Sequence, residues 1–314
     1  MILSPPRLFA SLLLALCLPF AGAAELQIQL DSDNERLESN IRAFIGDPGD
    51  RSVASLRRFS SHARERARQA MRALGYYRAR VSSRVLEQQP PVLRLEVTPG
   101  EPVRFRRIAI EVRGEAAGLA AFQLPDGLRP ESGSVLDHGR YERIKRFFRN
   151  QAQTHGFFDG EFVTRQLRVD PDAGYADIDL VYDSGERYTL GEVRFSDEIY
   201  FEKTLVKRFV RFEPGTPYHS DRIIQLNRDL RGSGYFSEVR VDADPRNATQ
   251  GRIPVRVTLD ERSRHSIGTG LGFSTDVGPR IRTTWDQHYV NPPGHRPHAE
   301  LQLSAPPHHY VLHS

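Results

Sequence analysis

Arginine is the residue type whose density in this sequence could itself do chemistry. Nine arginines and one acidic residue, Glu65, fall between Arg57 and Arg84. Such a run could hold phosphate-bearing partners, either nucleic acid or lipid headgroups, through charge. On an amphipathic helix, arginines more often form only the solvated face. Six of the eleven histidines fall in the last 27 residues. A metal site needs convergent ligands held by a second layer of hydrogen bonds, and this loose spacing does not supply them. Asp177 and Asp179 alternate along an apolar stretch and so share one face of a strand. No partnering base or glycine-rich loop accompanies them, so they read as the exposed side of a sheet. Asn247-Ala248-Thr249 matches the glycosylation sequon, which carries no weight behind an export signal of bacterial type. No nucleophile with an adjacent base, no acid/base pair and no metal cluster emerges. The chain is therefore read as a non-enzyme with no cofactor and no metal.

The N-terminus sets the compartment. Arg7 is the only early charge, Leu8 to Phe20 is almost wholly apolar, and Ala21-Gly22-Ala23 follows. This charged, apolar, cleavable series reads as a secretory signal peptide over residues 1–23. The apolar run is short for a membrane anchor and Pro19 interrupts it. Bulky Leu16 before Cys17 argues against a lipoprotein. Cleavage removes Cys17, the only cysteine, so the exported chain has no disulfide, thiolate metal site or cysteine nucleophile. The net charge is +4, with 27% charged residues. After residue 24 no stretch is long and apolar enough for a membrane helix. Any insertion must then use β-strands.

The chain repeats itself. A glycine followed by two aromatics recurs as Gly75-Tyr76-Tyr77, Gly156-Phe157-Phe158 and Gly234-Tyr235-Phe236, with the glycines 81 and 78 residues apart. Each is followed, after one hairpin's length, by an alternating apolar strand and an acidic turn: Leu93 to Val97 before Pro99-Gly100-Glu101, Ile178 to Tyr182 before Ser184-Gly185-Glu186, and Val255 to Leu259 before Asp260-Glu261. Each unit opens with a strand (Leu26 to Leu30, Phe105 to Val112, Gly191 to Phe195). A short helix is expected near Leu37 to Ile45, Ala116 to Phe122 and Phe201 to Phe209. A longer helix then runs into the glycine. Tyr141, Ile144, Phe147 and Phe148, and likewise Ile223, Leu226 and Leu230, lie at helical spacing and make one apolar stripe. The glycine ends that helix in the left-handed conformation. Two alternating strands close the unit, as in Phe162 to Val169 with Ala176 to Tyr182. The order is β-α-α-β-β, and the aromatic pair is expected to pack the second helix onto its own sheet.

The tail differs. Ser266, Ile267, Gly268, Thr269, Gly270, Leu271, Gly272 and Phe273 alternate, with Ile267, Thr269, Leu271 and Phe273 on one face and the glycines on the other. Arg280 to Tyr289 and His298 to Ser304 alternate likewise. Their lengths suit strands of an outer-membrane barrel.

The whole layout resembles the polypeptide-transport-associated (POTRA) domain proteins that assemble the bacterial outer membrane, a superfamily that includes the BamA type. Within it the TamA type, with three POTRA modules ahead of a barrel, is most similar. The resemblance implies an α+β fold: POTRA modules at 25–99, 103–184 and 187–262, then the first antiparallel strands of a barrel at 264–314. It implies a periplasmic, outer-membrane factor that captures unfolded outer-membrane proteins or autotransporters. Its partners would be a TamB-like inner-membrane-anchored subunit and outer-membrane lipid, with no nucleic acid. The first barrel strand, Ser266 to Phe273, would form the seam where substrates pair. A two-partner secretion transporter is the alternative, against which three modules count, since that group usually has two. A periplasmic enzyme is the alternative of another class. Only about 50 residues follow the third unit. The barrel is therefore expected to be incomplete, as in a truncated copy, and such a product would be periplasmic.

Overall fold

The computed structural model describes residues 23–196, 199–263, 265–274, 278–288, 291 and 298–304. The expected signal peptide up to residue 22 lies outside them, as do residues 305–314 and the side chains of the last two tail strands. No described helix is long and apolar enough to cross a membrane.

The first repeat runs β1 (Glu25–Leu30), α1 (Glu35–Ile45), α2 (Val53–Ala73), β2 (Arg80–Leu86) and β3 (Val92–Thr98). Asn34 starts α1 by accepting the Leu37 N–H at 3.3 Å, and Ser52 starts α2 by accepting the Ser55 N–H at 3.3 Å. Each side chain thereby caps a donor in the first turn of its helix. Leu56, Ala63, Ala67, Ala70 and Met71 form the buried stripe of α2. They share one core with Leu37 and Ile41 of α1 and with Leu93, Leu95 and Val97 of β3. Small alanines let the helix approach the sheet closely. β3 is the middle strand, parallel to β1 and antiparallel to β2.

The second repeat runs β4 (Arg104–Arg113), a 3-10 turn (Ala120–Phe122), α3 (His138–His155), β5 (Glu161–Asp170) and β6 (Tyr175–Asp183), with strand order β4-β6-β5. Tyr141, Ile144 and Phe148 are buried, as their stripe requires. The short helix expected from Ala116 to Phe122 is only that 3-10 turn. Gly114 and Gly118 both take positive φ there, and the Ala116 N–H is spent on the Ser184 hydroxyl at 2.9 Å. Asp177 also departs from expectation. It is buried, and its carboxylate accepts Arg106 Nε at 3.0 Å, Arg106 Nη2, and the Arg107 N–H at 3.2 Å. Those bonds, the Arg106 one foremost, hold the carboxyl below the usual carboxylate range. Asp179 is half-buried. Alternation marks a face, but it cannot tell that β6 is a central strand with neighbours on both sides.

The third repeat runs β7 (Thr189–Phe195), α4 (Lys203–Lys207), α5 (Ser220–Gly232), β8 (Phe236–Asp242) and β9 (Arg252–Glu261). Its sheet has the order β7-β9-β8, with β9 parallel to β7 and antiparallel to β8. The helix expected from Phe201 to Phe209 is shortened to the five residues of α4. A fourth sheet follows, β10 (His265–Ser274), β11 (Gly278–Gln287) and β12 (His298–Ser304), joined as an antiparallel meander.

Contacts divide the chain into two compact units that do not follow the repeats. Among the described residues, one comprises the chain up to Ile108, Pro130–Glu142 and Leu167–Ile178, the other Ala109–Arg129, Arg143–Gln166 and the chain from Asp179 onward. Part of the second repeat therefore belongs with the first, and part with the third.

Candidate functional site: joints and open strand edges

The first two Gly-aromatic-aromatic loops each bond to the segment that follows. Gly75 ends α2 with φ +90°, its N–H bonded to the Arg72 carbonyl at 2.9 Å. Its carbonyl accepts the Val103 N–H at 2.9 Å, and the Val103 carbonyl accepts the Leu136 N–H at 2.9 Å. A Cβ on Gly75 would lie 2.5 Å from the Leu136 carbonyl oxygen. Tyr77 reaches forward too, with its hydroxyl 2.6 Å from His138 Nε2, and beside it Arg36 pairs with Asp137 at 2.6 Å.

The second loop repeats the two forward bonds of the first. Gly156 has φ +85°, and its carbonyl accepts the Tyr188 N–H at 2.8 Å. The Tyr188 carbonyl accepts the Tyr218 N–H at 2.9 Å. A Cβ on Gly156 would lie 2.6 Å from Tyr218 Cβ. The Phe158 ring packs edge-on against Tyr188 and Tyr218, with centroids 5.5 and 4.9 Å away. Arg187 clamps the joint, Nε donating to the His155 carbonyl at 2.8 Å and Nη2 to the Tyr218 carbonyl at 3.1 Å.

The rings therefore divide their work. Phe157 is buried in its own repeat against Phe122, and Tyr76 packs on the first core. Tyr77 and Phe158 instead meet the segment that follows, which the expectation of packing within one repeat did not include. The third loop differs. Gly234 again has positive φ, but the Arg262 N–H bonds the Tyr235 carbonyl at 2.9 Å, and Phe236 enters its own core. A sequence signal for the joints existed. Leu136-Asp137 and Tyr218-His219 stand at one position ahead of each long helix. There Asp137 accepts the Arg140 N–H at 3.1 Å, and His219 Nδ1 accepts the Asp221 N–H at 3.2 Å.

Both joints hold a histidine. The His155 and His219 rings meet edge to face, 4.8 Å between centroids. Burial keeps the His155 imidazole below its usual range. His219 and Arg187 push the same way, and Asp221 opposes them. Burial also lowers His138, against opposition from Asp137 and Glu142. The folded state thus favours neutral rings, whereas the unfolded chain takes up protons near pH 6.5. Their contribution is complete above that pH and is lost as the pH falls below it. Urea midpoints are expected to be lower at pH 5.5 than at pH 7.5, and His138→Gln with His155→Gln should flatten the difference. An unchanged pH dependence in that variant would remove the histidines from the account.

The sheets also offer edges. With β3 and β9 central, β1, β2, β7 and β8 are outer strands. On β1, Arg42 donates to the Leu26 carbonyl at 3.3 Å. On β8, Asn227 and Arg231 both donate to the Val239 carbonyl at 3.3 Å. β2 differs: among the described residues, no side chain bonds to the backbone of Arg80–Leu86. Seven residues give it a length of about 23 Å. Arg80, Ser82 and Arg84 are exposed beside it. In the tail sheet, β10 is an end strand, paired with β11 from His265↔Gln287 to Ser274↔Gly278. Ser266, Ile267, Gly268, Thr269 and Gly270 are exposed, and a Cβ at Gly270 would meet nothing within 4 Å. Leu271, Gly272 and Phe273 continue the strand.

Residues 27–99 match the family model described as "POTRA domain TamA domain 1", and residues 188–262 match the POTRA model described as "Surface antigen variable number repeat". These two segments are POTRA domains. The chain is also 22% identical over 186 residues to the outer membrane protein assembly factor BamA of Neisseria meningitidis serogroup B, covering 59% of this chain and 23% of that protein. Among solved structures, BamA from Haemophilus ducreyi lacking POTRA domains 1–3 aligns with TM-score 0.50 and 14% identity, over 64% of this chain and 37% of that one. The POTRA3–5 structure of Haemophilus influenzae BamA aligns with TM-score 0.40 and 16% identity, over 78% of this chain and all of that one. The two matched segments are thus POTRA-like, and the chain is similar to an outer membrane protein assembly factor. It spans under a quarter of the length of the curated relative it matches.

Proposed function

We infer that this chain is an outer-membrane protein assembly and translocation factor of the TamA type, carrying three POTRA modules at 25–99, 103–184 and 187–262. The middle segment has the same strand order as its two matched neighbours, which supports counting it as the third. The observation that carries the reading is the open edge of β2 in a matched POTRA domain. Unpaired main-chain N–H and C=O groups can capture an extended segment as an added strand. Main-chain pairing is nearly blind to side chains, which suits a factor handling many unfolded barrel or autotransporter substrates. Strand β10, Ser266 to Phe273, is the seam in this reading, since glycine weakens strand pairing. A TamB-like inner-membrane-anchored subunit and outer-membrane lipid are its other partners, with no catalytic step.

A photocrosslinking residue at Ser82 or Arg84, combined with outer-membrane proteomics after gene loss, tests this. Adducts with many barrel chains and broad depletion of barrel or autotransporter proteins are expected. Adducts with one secreted protein, and loss of that protein alone, would favour the two-partner transporter. No adducts and an unchanged proteome would overturn both readings.

A further inference from the structure

Helix α2 carries Arg57, Arg58, Arg64, Arg66, Arg68 and Arg72 against a single acid, Glu65. Its buried stripe, from Leu56 to Met71, faces the core, so the helical period gathers Arg58, His62, Glu65, Arg66, Gln69 and Arg72 on the opposite side. All six are exposed. Arg57 pairs with Glu87, and Arg68 with Glu65 at 3.4 Å. Among the described residues, Arg58, Arg64, Arg66 and Arg72 have no carboxylate within 4 Å. The first turn of α2 holds no acid, although the positive end of the helix dipole favours one there. Arg64 and Arg68, and Arg68 and Arg72, stand four residues apart and repel each other. The helix thus concentrates positive charge against its own stability, which is the pattern of a surface whose counter-charge comes from outside.

We propose that the exposed face of α2 docks on an anionic phospholipid surface, its arginines meeting headgroup phosphates. Arg58 and Arg72 are 14 residues apart on one helix face, about 21 Å. A row of that length suits a plane of phosphates better than one phosphate held in a pocket. A guanidinium meets a phosphate through two parallel N–H donors. The apolar stripe of α2 is already used in the core, so attachment is peripheral and electrostatic, without insertion. The exposed face has no Phe, Tyr or Trp on which a nucleic-acid base could stack, which disfavours single-stranded nucleic acid.

Flotation of the full chain with vesicles tests the proposal, comparing phosphatidylglycerol with phosphatidylcholine. A difference between the two lipids separates arginine docking from any insertion of the tail strands, which would occur with both. The chain is expected to float preferentially with phosphatidylglycerol at low salt, and that preference should vanish at 0.5 M salt. The triple variant Arg58→Gln, Arg66→Gln, Arg72→Gln should bind phosphatidylglycerol on the order of 100-fold more weakly, from roughly five-fold per arginine. A control of equal charge, Arg129→Gln, Arg252→Gln, Arg256→Gln, should retain most of the binding. Circular dichroism would show that both variants fold as the parent does. Equal binding to both lipids, or equal losses in the two variants, would overturn the proposal. Arginine-dependent binding to an acidic polypeptide with no vesicle preference would overturn it in favour of a protein partner.

Discussion

Tyr182→Ala is expected to destabilise the protein by about 3–5 kcal/mol, the range for removing a large buried ring. Tyr182 lies on β6 and is 1% exposed. Its ring stacks on Phe148 at 5.7 Å and on Phe122 at 6.3 Å, and Phe162 meets it edge-on at 4.9 Å. Three aromatic neighbours on rigid elements cannot collapse into the space left behind. The loss is therefore the transfer energy of the ring plus a cavity that stays open. Tyr182→Phe keeps the ring and should cost under about 1.5 kcal/mol, as volume-conserving swaps do. Urea unfolding of both variants checks this. Equal losses in the two would place the stabilisation in the hydroxyl rather than in the stack.

Gly156→Ala should cost about 2–5 kcal/mol, from two separable causes. A side chain at positive φ costs about 1–2 kcal/mol, and an added methyl forced into a packed contact costs about 1–3 kcal/mol more. The contact is unforgiving because the Tyr218 backbone is held on both sides, by Tyr188 and by Arg187. Gly118 isolates the first cause. It has φ +82°, and a Cβ there would meet nothing within 4 Å. Gly118→Ala should therefore lose only the backbone part. If Gly156→Ala costs no more than Gly118→Ala, the joint imposes no steric constraint. Hydrogen exchange at the Tyr188 and Tyr218 amides should speed up in Gly156→Ala and stay unchanged in Gly118→Ala.

The joints alter how the repeated glycines are understood. Each ends a helix, as its place in the sequence suggests. Gly75 and Gly156 also sit where the next segment presses a backbone carbonyl or a tyrosine Cβ against them. Both contacts come from residues some 60 positions onward, Leu136 and Tyr218, so no local pattern could reveal them. Asp177 carries the same lesson. Its alternation with Asp179 was visible, but the Arg106 that neutralises it comes from β4, more than 70 residues before. Short helices were the weakest part of the reading. Ala116 to Phe122 is apolar enough for a helix, yet Gly114 and Gly118 make a turn there, and Ser184 takes the amide at its start.

The sequence by itself determined the repetition, the α+β alternation, the helix that ends at each glycine and the change to alternating strands after Glu261. These follow from local spacing: period 3.6 for helices, period 2 for strands, and glycine where φ is positive. Only the tertiary structure decided the strand order, with the last strand of each repeat in the middle, because pairing choices depend on which edges meet in space. It alone separated β2, whose edge is open, from β8, whose Val239 carbonyl α5 already occupies. It also decided that Tyr77 and Phe158 look forward while Phe157 looks inward. A ring's sequence position records only that it must be buried; which neighbour buries it depends on long-range contacts that local spacing does not encode.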